Sequence, residues 1–156
     1  LVSVGLDYIK VGVSVDGNTW ANLGKFAESL NKINNEVLEN KLILVLMIAD
    51  KRSFETVKNI PSSEVVKFSG IMIDTLNKES GSIFDIVNFT ELSIIKKFAL
   101  ERNVDFGIAG SLDISHTKLI NQLQPNWVGY RGGVCLKKRS GPLSRTRLEN
   151  LIDSYC

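Results

Sequence analysis

The sequence predicts an α/β fold in which helices cover a parallel β-sheet. Strand-like runs alternate with segments of helical periodicity, and this alternation is typical of βα units. The runs are apolar and β-branched nearly throughout, as strands covered on both faces should be. With 156 residues and 44% apolar content, the chain can bury one core, so residues 1–156 are expected to form a single domain. An open doubly wound sheet and a (β/α)8 barrel both fit this pattern.

The five predicted strands are short. They lie at residues 6–13, 41–49, 69–73, 104–109 and 126–130. The first run is predicted to be a buried strand, although Lys10 lies in its middle. The last run is followed by a glycine pair. Loops with turn-forming residues separate the strands from the helical segments.

Helical segments are predicted after each strand. The first follows a cap at Asn18 or Thr19 and repeats apolar residues at intervals of three and four. Residues 53–68 are broken by Pro61 and should hold two short helices. Three more segments are predicted after Thr90, before Pro125 and after Ser144; their apolar positions are Leu92, Ile95, Phe98 and Ala99, then Ile114, Leu119, Ile120 and Leu123, then Leu148, Leu151, Ile152 and Tyr155.

Polar residues stand at the strand ends, and ligands of α/β folds bind beyond the carboxyl ends of the strands. Lys10 is the first candidate. Side chains alternate along a strand, so Lys10 shares a face with Tyr8 and Gly12 and should point away from the helices. Burial there would favour a neutral amine that can accept protons or attack carbonyls. A lysine that snorkels at a strand edge is the alternative.

Asp74 ends the third run, and Lys78 follows four residues later. A carboxylate beside two amines can hold one of them protonated and orient it, as proton transfer requires. Asp74 could instead cap a following helix, and Lys78 could be solvated. From the residues alone, the two interpretations are equally good.

Two glycine-containing turns follow the fourth and fifth strands. Gly110 and Ser111 form the first, and Gly132 and Gly133 form the second. Backbone N–H groups in such turns bind phosphate, and in barrels that site commonly follows the last two strands. A tight turn that needs positive φ would explain either glycine separately. Two successive strand ends with this feature favour a phosphate site.

The composition and the sequence pattern argue against several classes of protein. With 19 basic and 17 acidic residues, the charge is too balanced to indicate a nucleic-acid binder. Residues 137–139 are basic, and a solvated loop is the expected explanation. The longest apolar run, residues 42–49, is far too short to span a membrane, and the chain has no signal-peptide pattern. Two cysteines and a single histidine give no disulfide framework or metal-ligand spacing, which fits a cytoplasmic protein.

Three further residues are weaker candidates for the site. Asp50 is as good a helix cap as a site residue. Cys135 could be reactive, although a buried thiol is commoner. His116 is expected to be a surface histidine.

Five motifs in order resemble the family of (5-formylfuran-3-yl)methyl phosphate synthase. They are DYIKVG at 7–12, IADKRSF at 48–54, IMIDTLNKESGSIFD at 71–85, IAGS at 108–111 and VGYRGGVC at 128–135. The resemblance implies a (β/α)8 barrel of which the five runs are strands 4 to 8. It also implies a lyase that condenses two glyceraldehyde 3-phosphate molecules, with loss of phosphate and water, for methanofuran-type cofactors.

The resemblance further implies Schiff-base chemistry without metal or organic cofactor. Lys10 matches the proton-accepting lysine of the family, and Asp74 and Lys78 match its active-site aspartate and second lysine. The Schiff-base lysine of the family lies on an early strand with no counterpart here. We therefore expect a fragment or a shortened relative that lacks three βα units and is inactive alone. Its apolar edges would favour self-association. Another phosphosugar aldolase-like barrel and a non-catalytic phosphate-ester-binding remnant are the alternatives.

Overall fold

The computed structural model describes residues 8–33, 41–77, 80–137 and 139–155. Five strands and seven α-helices alternate along this part of the chain. The strands are β1 (Tyr8–Ser14), β2 (Lys41–Ile48), β3 (Gly70–Thr75), β4 (Asp105–Ala109) and β5 (Trp127–Gly129). The helices are α1 (Thr19–Ile33), α2 (Lys51–Lys58), α3 (Ser62–Val65), α4 (Ile83–Ile86), α5 (Phe89–Leu100), α6 (Thr117–Leu123) and α7 (Arg145–Asp153). The predicted α/β fold is confirmed.

All four strand pairs are parallel, and the strands lie side by side in chain order, β1-β2-β3-β4-β5. A doubly wound sheet reverses its order at a switch point, and the described strands show no reversal. Because parallel crossovers are right-handed, steps in a single direction place the connecting helices on one face of the sheet. The other face is therefore left to line a cleft.

The main core lies between the sheet and the helices. It includes Leu44, Leu46, Ile71, Ile73 and Phe106 from the strands, all at most 1% exposed. A second, smaller cluster lies on the opposite face and consists of Ile43, Val45, Met72 and Ala109. Apolar groups on both faces of β2 to β4 explain why these strands are apolar nearly throughout, as the sequence analysis expected.

Strand β1 differs from the others, because its residues alternate between exposed and half-buried. The prediction of a buried first strand is wrong. Among the described residues β1 pairs only with β2, so its inner face lacks the neighbours that cover β2 to β4. Lys10 lies on that exposed face.

Helix boundaries follow the sequence signals with two corrections. Helix α7 begins after Ser144, as predicted, and the Ser144 side chain caps it by accepting from Arg147 N at 3.3 Å. Helix α5 begins at Phe89 rather than after Thr90, and its cap is Asn88, whose Oδ1 accepts from Glu91 N at 2.9 Å. Helix α4 was not predicted, because its single turn is too short to show helical periodicity. No helix among the described residues is long and apolar enough to cross a membrane.

Candidate functional site

A wide cleft of about 1740 Å³ lies over the inner face of the sheet, at the carboxyl ends of the strands. It is larger than the usual volume of a small-molecule pocket because one side is open. Every described residue of the predicted site lines it, namely Lys10, Asp74, Gly110, Ser111, Gly132 and Gly133. Lys78 lies outside the described residues. The polar groups predicted to share one rim do share it, except Asp50.

Lys10 points into the cleft from the middle of β1, and its Nζ lies 3.9 Å from Met72 Sδ. The side chain is exposed, so the predicted burial of this amine is wrong. The sequence alternation correctly indicated which face Lys10 occupies, but it could not indicate how much of that face is covered. The amine is accessible to a ligand that enters the cleft.

Asp74 stands one residue before the end of β3 and is half-buried. Its Oδ1 accepts a hydrogen bond from Thr75 N at 2.7 Å. The next helix, α4, begins with a capping box between Ser82 and Asp85, so Asp74 does not cap it. The helix-cap interpretation of Asp74 is therefore wrong, and its carboxylate belongs to the wall of the cleft.

Asp50, in contrast, is a helix cap. Its Oδ1 accepts from Ser53 N at 2.8 Å, and the Ser53 hydroxyl accepts in return from Asp50 N at 3.0 Å. The hydrogen bond from the Ser53 backbone, followed by that from its hydroxyl, lowers the pKa of Asp50. Asp50 is absent from the cleft lining.

The first glycine turn requires glycine for steric reasons. Gly110 has φ of +109°, and a Cβ there would lie 2.7 Å from Thr75 Cγ2. Its carbonyl accepts from Ile83 N at 3.0 Å, which ties the turn to α4. Ser111 follows with φ of +47°. The positive-φ explanation of Gly110 is thus correct. It is compatible with a role in ligand binding, because the turn also lines the cleft.

The second glycine turn packs against the loop that follows the first. A Cβ on Gly133 would lie 2.5 Å from Leu112 O and 2.8 Å from Asp113 Cα. At Gly132, in contrast, the nearest atom would be Arg139 N at 3.9 Å. Close backbone approach thus explains Gly133 but not Gly132. It also makes the two turns one continuous backbone wall.

Gly133→Ala is expected to destabilise the protein by about 1–3 kcal/mol, because the added methyl group meets backbone atoms that cannot rotate away. Gly132→Ala is the matched control, since its methyl group has space. We expect its free energy of unfolding to stay within about 0.5 kcal/mol of the unsubstituted protein. Urea denaturation measures both. Equal stability of the two variants would contradict the packing described for Gly133.

Asp113, beside these turns, is a lining residue that the sequence did not predict. Asp113 Oδ1 accepts from Ser115 N at 2.9 Å and lies 2.9 Å from His116 Nδ1. Burial of Asp113 opposes its ionisation, but the hydrogen bonds from Ser115 and the charge of His116 outweigh that cost and lower its pKa. The D-x-S order of a capping motif was the available signal. His116 lies at the surface, as predicted, with 18% of its side chain exposed, and its ring stacks on Phe84 with ring centroids 5.7 Å apart.

Tyr130 is another unpredicted lining residue. Its hydroxyl forms a short hydrogen bond with the Tyr155 hydroxyl. Burial raises the pKa of Tyr130, and the hydrogen bond to Tyr155 raises it further. Tyr130 therefore stays a neutral phenol at physiological pH.

Cys135 follows the second turn. Its thiol is buried, as the sequence predicted.

The cleft is more basic than the protein as a whole. Among the described residues, five basic and two acidic side chains line it, whereas the whole chain has a formal net charge of +2. The basic residues are Lys10, Arg131, Lys137, Arg139 and Arg147, and the acidic ones are Asp74 and Asp113. A concave surface with this excess attracts anions. Within the described part of the chain, no group of three or more His, Cys, Asp or Glu residues could hold a metal ion.

Comparisons with known proteins agree on one family. The family model described as 4-HFC-P synthase matches residues 1–152. Among curated proteins, the chain is similar to the (5-formylfuran-3-yl)methyl phosphate synthases of Archaeoglobus fulgidus (24% identical; 96% of this chain, 65% of that protein) and Methanosarcina acetivorans (28%; 95% and 64%). The chain thus spans about 65% of the length of the curated relatives it matches.

Phosphoribosyl anthranilate isomerase from Thermus thermophilus is a similar solved structure, which aligns with a TM-score of 0.44 at 11% identity and covers 97% of this chain and 88% of that one. This similarity is too low to support a conclusion about fold or function. The fold is described from the order of the strands, and the family from the match of the family model.

Proposed function

The chain belongs to the 4-HFC-P synthase family, and on that premise we propose that its cleft binds triose phosphates and takes part in making (5-formylfuran-3-yl)methyl phosphate. In the proposed reaction, two glyceraldehyde 3-phosphate molecules condense with loss of phosphate and water, through Schiff-base chemistry of the aldolase type. The observation that supports this proposal most strongly is the cleft, which is lined by an accessible amine, a carboxylate and two adjacent glycine turns.

We assign Lys10 as the group that accepts and returns protons. It lies on the inner face of β1, where a carbonyl compound in the cleft can reach its Nζ. Asp74, held by the Thr75 N–H, orients and stabilises a protonated amine nearby. Lys78, the second lysine implied by the resemblance, would complete this group.

The phosphate groups are assigned to the two turns. Gly110 and Ser111 form one side of the wall and Gly132 and Gly133 the other. The basic lining of the cleft offsets the charge of the ester dianions, so the site suits two phosphorylated substrates better than neutral sugars.

The proposed architecture is a barrel in which β1 to β5 are strands 4 to 8. The chain-order arrangement of the parallel strands supports it, because a barrel wall advances in one direction. The share of the relatives' length that the match leaves uncovered is consistent with further strands. That the isolated chain is inactive stays a prediction.

A second candidate function is phosphate-ester binding without turnover. The exposure of Lys10 favours it, because the burial that was predicted to favour a neutral, proton-accepting amine is not observed. This candidate predicts the same ligand and no reaction. Product analysis separates the two.

The test incubates glyceraldehyde 3-phosphate with two protein samples. The first is the chain alone. The second is the chain supplemented by the part of the Archaeoglobus fulgidus relative that the match leaves uncovered. Mass spectrometry should detect the furan aldehyde phosphate and an equal amount of inorganic phosphate with the supplemented chain. A product with another carbon skeleton would favour a different aldolase-like enzyme. Ester binding without product or borohydride-trapped adduct would favour the binding-only candidate.

A further inference from the structure

After the second glycine turn the chain doubles back as a short hairpin, described at residues 135–137 and 139–143 and here called the basic hairpin. Cys135 and Leu143 form an isolated antiparallel bridge. Leu136 N donates to Pro142 O at 2.8 Å, and Ser144 N donates to Val134 O at 2.8 Å. Backbone hydrogen bonds therefore close the base of the hairpin.

The base is also anchored to its surroundings. Val134 and Cys135 are 5% and 7% exposed. Arg147, in the first turns of α7, donates from Nη1 to Cys135 O at 2.7 Å. The bridge, the burial and this contact to α7 together fix where the hairpin tip points.

The tip points over the cleft. Lys137, Arg139 and Ser140 all line it. Arg139 N is the nearest atom to the place where a Cβ on Gly132 would stand, at 3.9 Å. The hairpin backbone thus runs beside the second glycine turn, at the point where that turn has open space. The sequence indicated only a solvated loop at residues 137–139, and the exposure of Lys137 and Arg139 agrees with that, but their location over the cleft was not predicted.

The cations at the tip differ from several other basic side chains of the described region. Elsewhere Lys58, Lys67 and Arg145 each lie within 4.0 Å of a carboxylate. Within residues 8–33, 41–77, 80–137 and 139–155, no such ion pair involves Lys137 or Arg139, although two carboxylates line the same cleft. These charges remain available to an anion.

We propose that the basic hairpin supplies the cationic half of a phosphate site whose backbone half is the Gly132 turn. The inference rests on the function proposed above and assigns Arg139 and Lys137 to a phosphate monoester. The planar guanidinium of Arg139 can bind two phosphate oxygens, and Lys137 adds a point charge. Neither residue is assigned to proton transfer.

The experiment is calorimetric titration of the full chain with glycerol 3-phosphate, an unreactive triose phosphate, with glycerol as the neutral control. Arg139→Gln should weaken binding on the order of tenfold, and Lys137→Gln by a smaller factor. Lys97→Gln on α5 is the matched control, because Lys97 is exposed and does not line the cleft. It should leave binding unchanged.

Salt and rescue distinguish charge contact from a structural effect. Binding by the unsubstituted chain should weaken as salt rises, and Arg139→Gln should reduce that dependence, while Arg139→Lys should restore part of the affinity. Unchanged binding in both Gln variants would overturn the hairpin assignment and leave the proposed function intact. Absence of binding by the unsubstituted chain would overturn both.

Discussion

Replacing Lys10 by methionine is expected to slow product formation by the supplemented chain by about 10²–10⁴-fold, the usual contribution of a positioned acid–base group. Methionine keeps much of the length of the side chain and removes the amine. Because Lys10 is exposed, the free energy of unfolding should change by no more than about 0.5 kcal/mol. Urea denaturation and product analysis by mass spectrometry together give both values.

Lys25→Met is the control for the loss of one positive charge, since Lys25 is an exposed residue of α1 and does not line the cleft. It should retain the full rate. A Lys10→Met variant that also retains the full rate would remove Lys10 from the chemistry. The assignment of the phosphate turns would then have to stand on ligand binding alone.

Gly110→Ala is expected to destabilise the protein by about 2–4 kcal/mol. The residue has φ of +109°, which disfavours any side chain, and the new methyl group would lie 2.7 Å from Thr75 Cγ2 and 3.0 Å from Thr75 N. The turn must shift to relieve these contacts. Since this turn is one of the two assigned to phosphate, we also expect weaker binding of glycerol 3-phosphate.

Gly17→Ala provides the comparison, because no atom lies within 4 Å of its added Cβ. Its free energy of unfolding should stay within about 0.5 kcal/mol of the unsubstituted chain. Urea denaturation reports stability, and titration with glycerol 3-phosphate reports binding. A Gly110→Ala variant as stable as Gly17→Ala would show that the turn accommodates a side chain.

Local signals were enough to predict the strands and most helices. β2 to β4 are apolar on both faces, so their sequences stand out from the helical segments, and α7 begins after Ser144, as its sequence indicated. The chain order of the strands could not be predicted from the residues, because both α/β architectures use the same alternation. Only the resemblance favoured one of them.

The candidate site was predictable to the extent that it depends on strand ends. Asp74 and the two glycine turns lie where parallel strands end, and that position can be found in a sequence. The exposure of Lys10 depends on what packs beside β1, and the contact of Gly133 with Leu112 depends on tertiary structure. The position of Arg139 depends on the hairpin, which a Ser- and Gly-containing loop does not indicate.

The most direct measurement is NMR mapping of backbone amide shifts as glycerol 3-phosphate is added to the chain. If one cleft gathers the two glycine turns and the proposed proton-accepting amine of Lys10, the largest shifts will fall on Gly110, Ser111, Gly132 and Gly133. Smaller shifts are expected on the inner face of β1 around Lys10. Saturable binding with its largest shifts on the helix-covered face, and none at either turn, would show that the cleft is not the phosphate site.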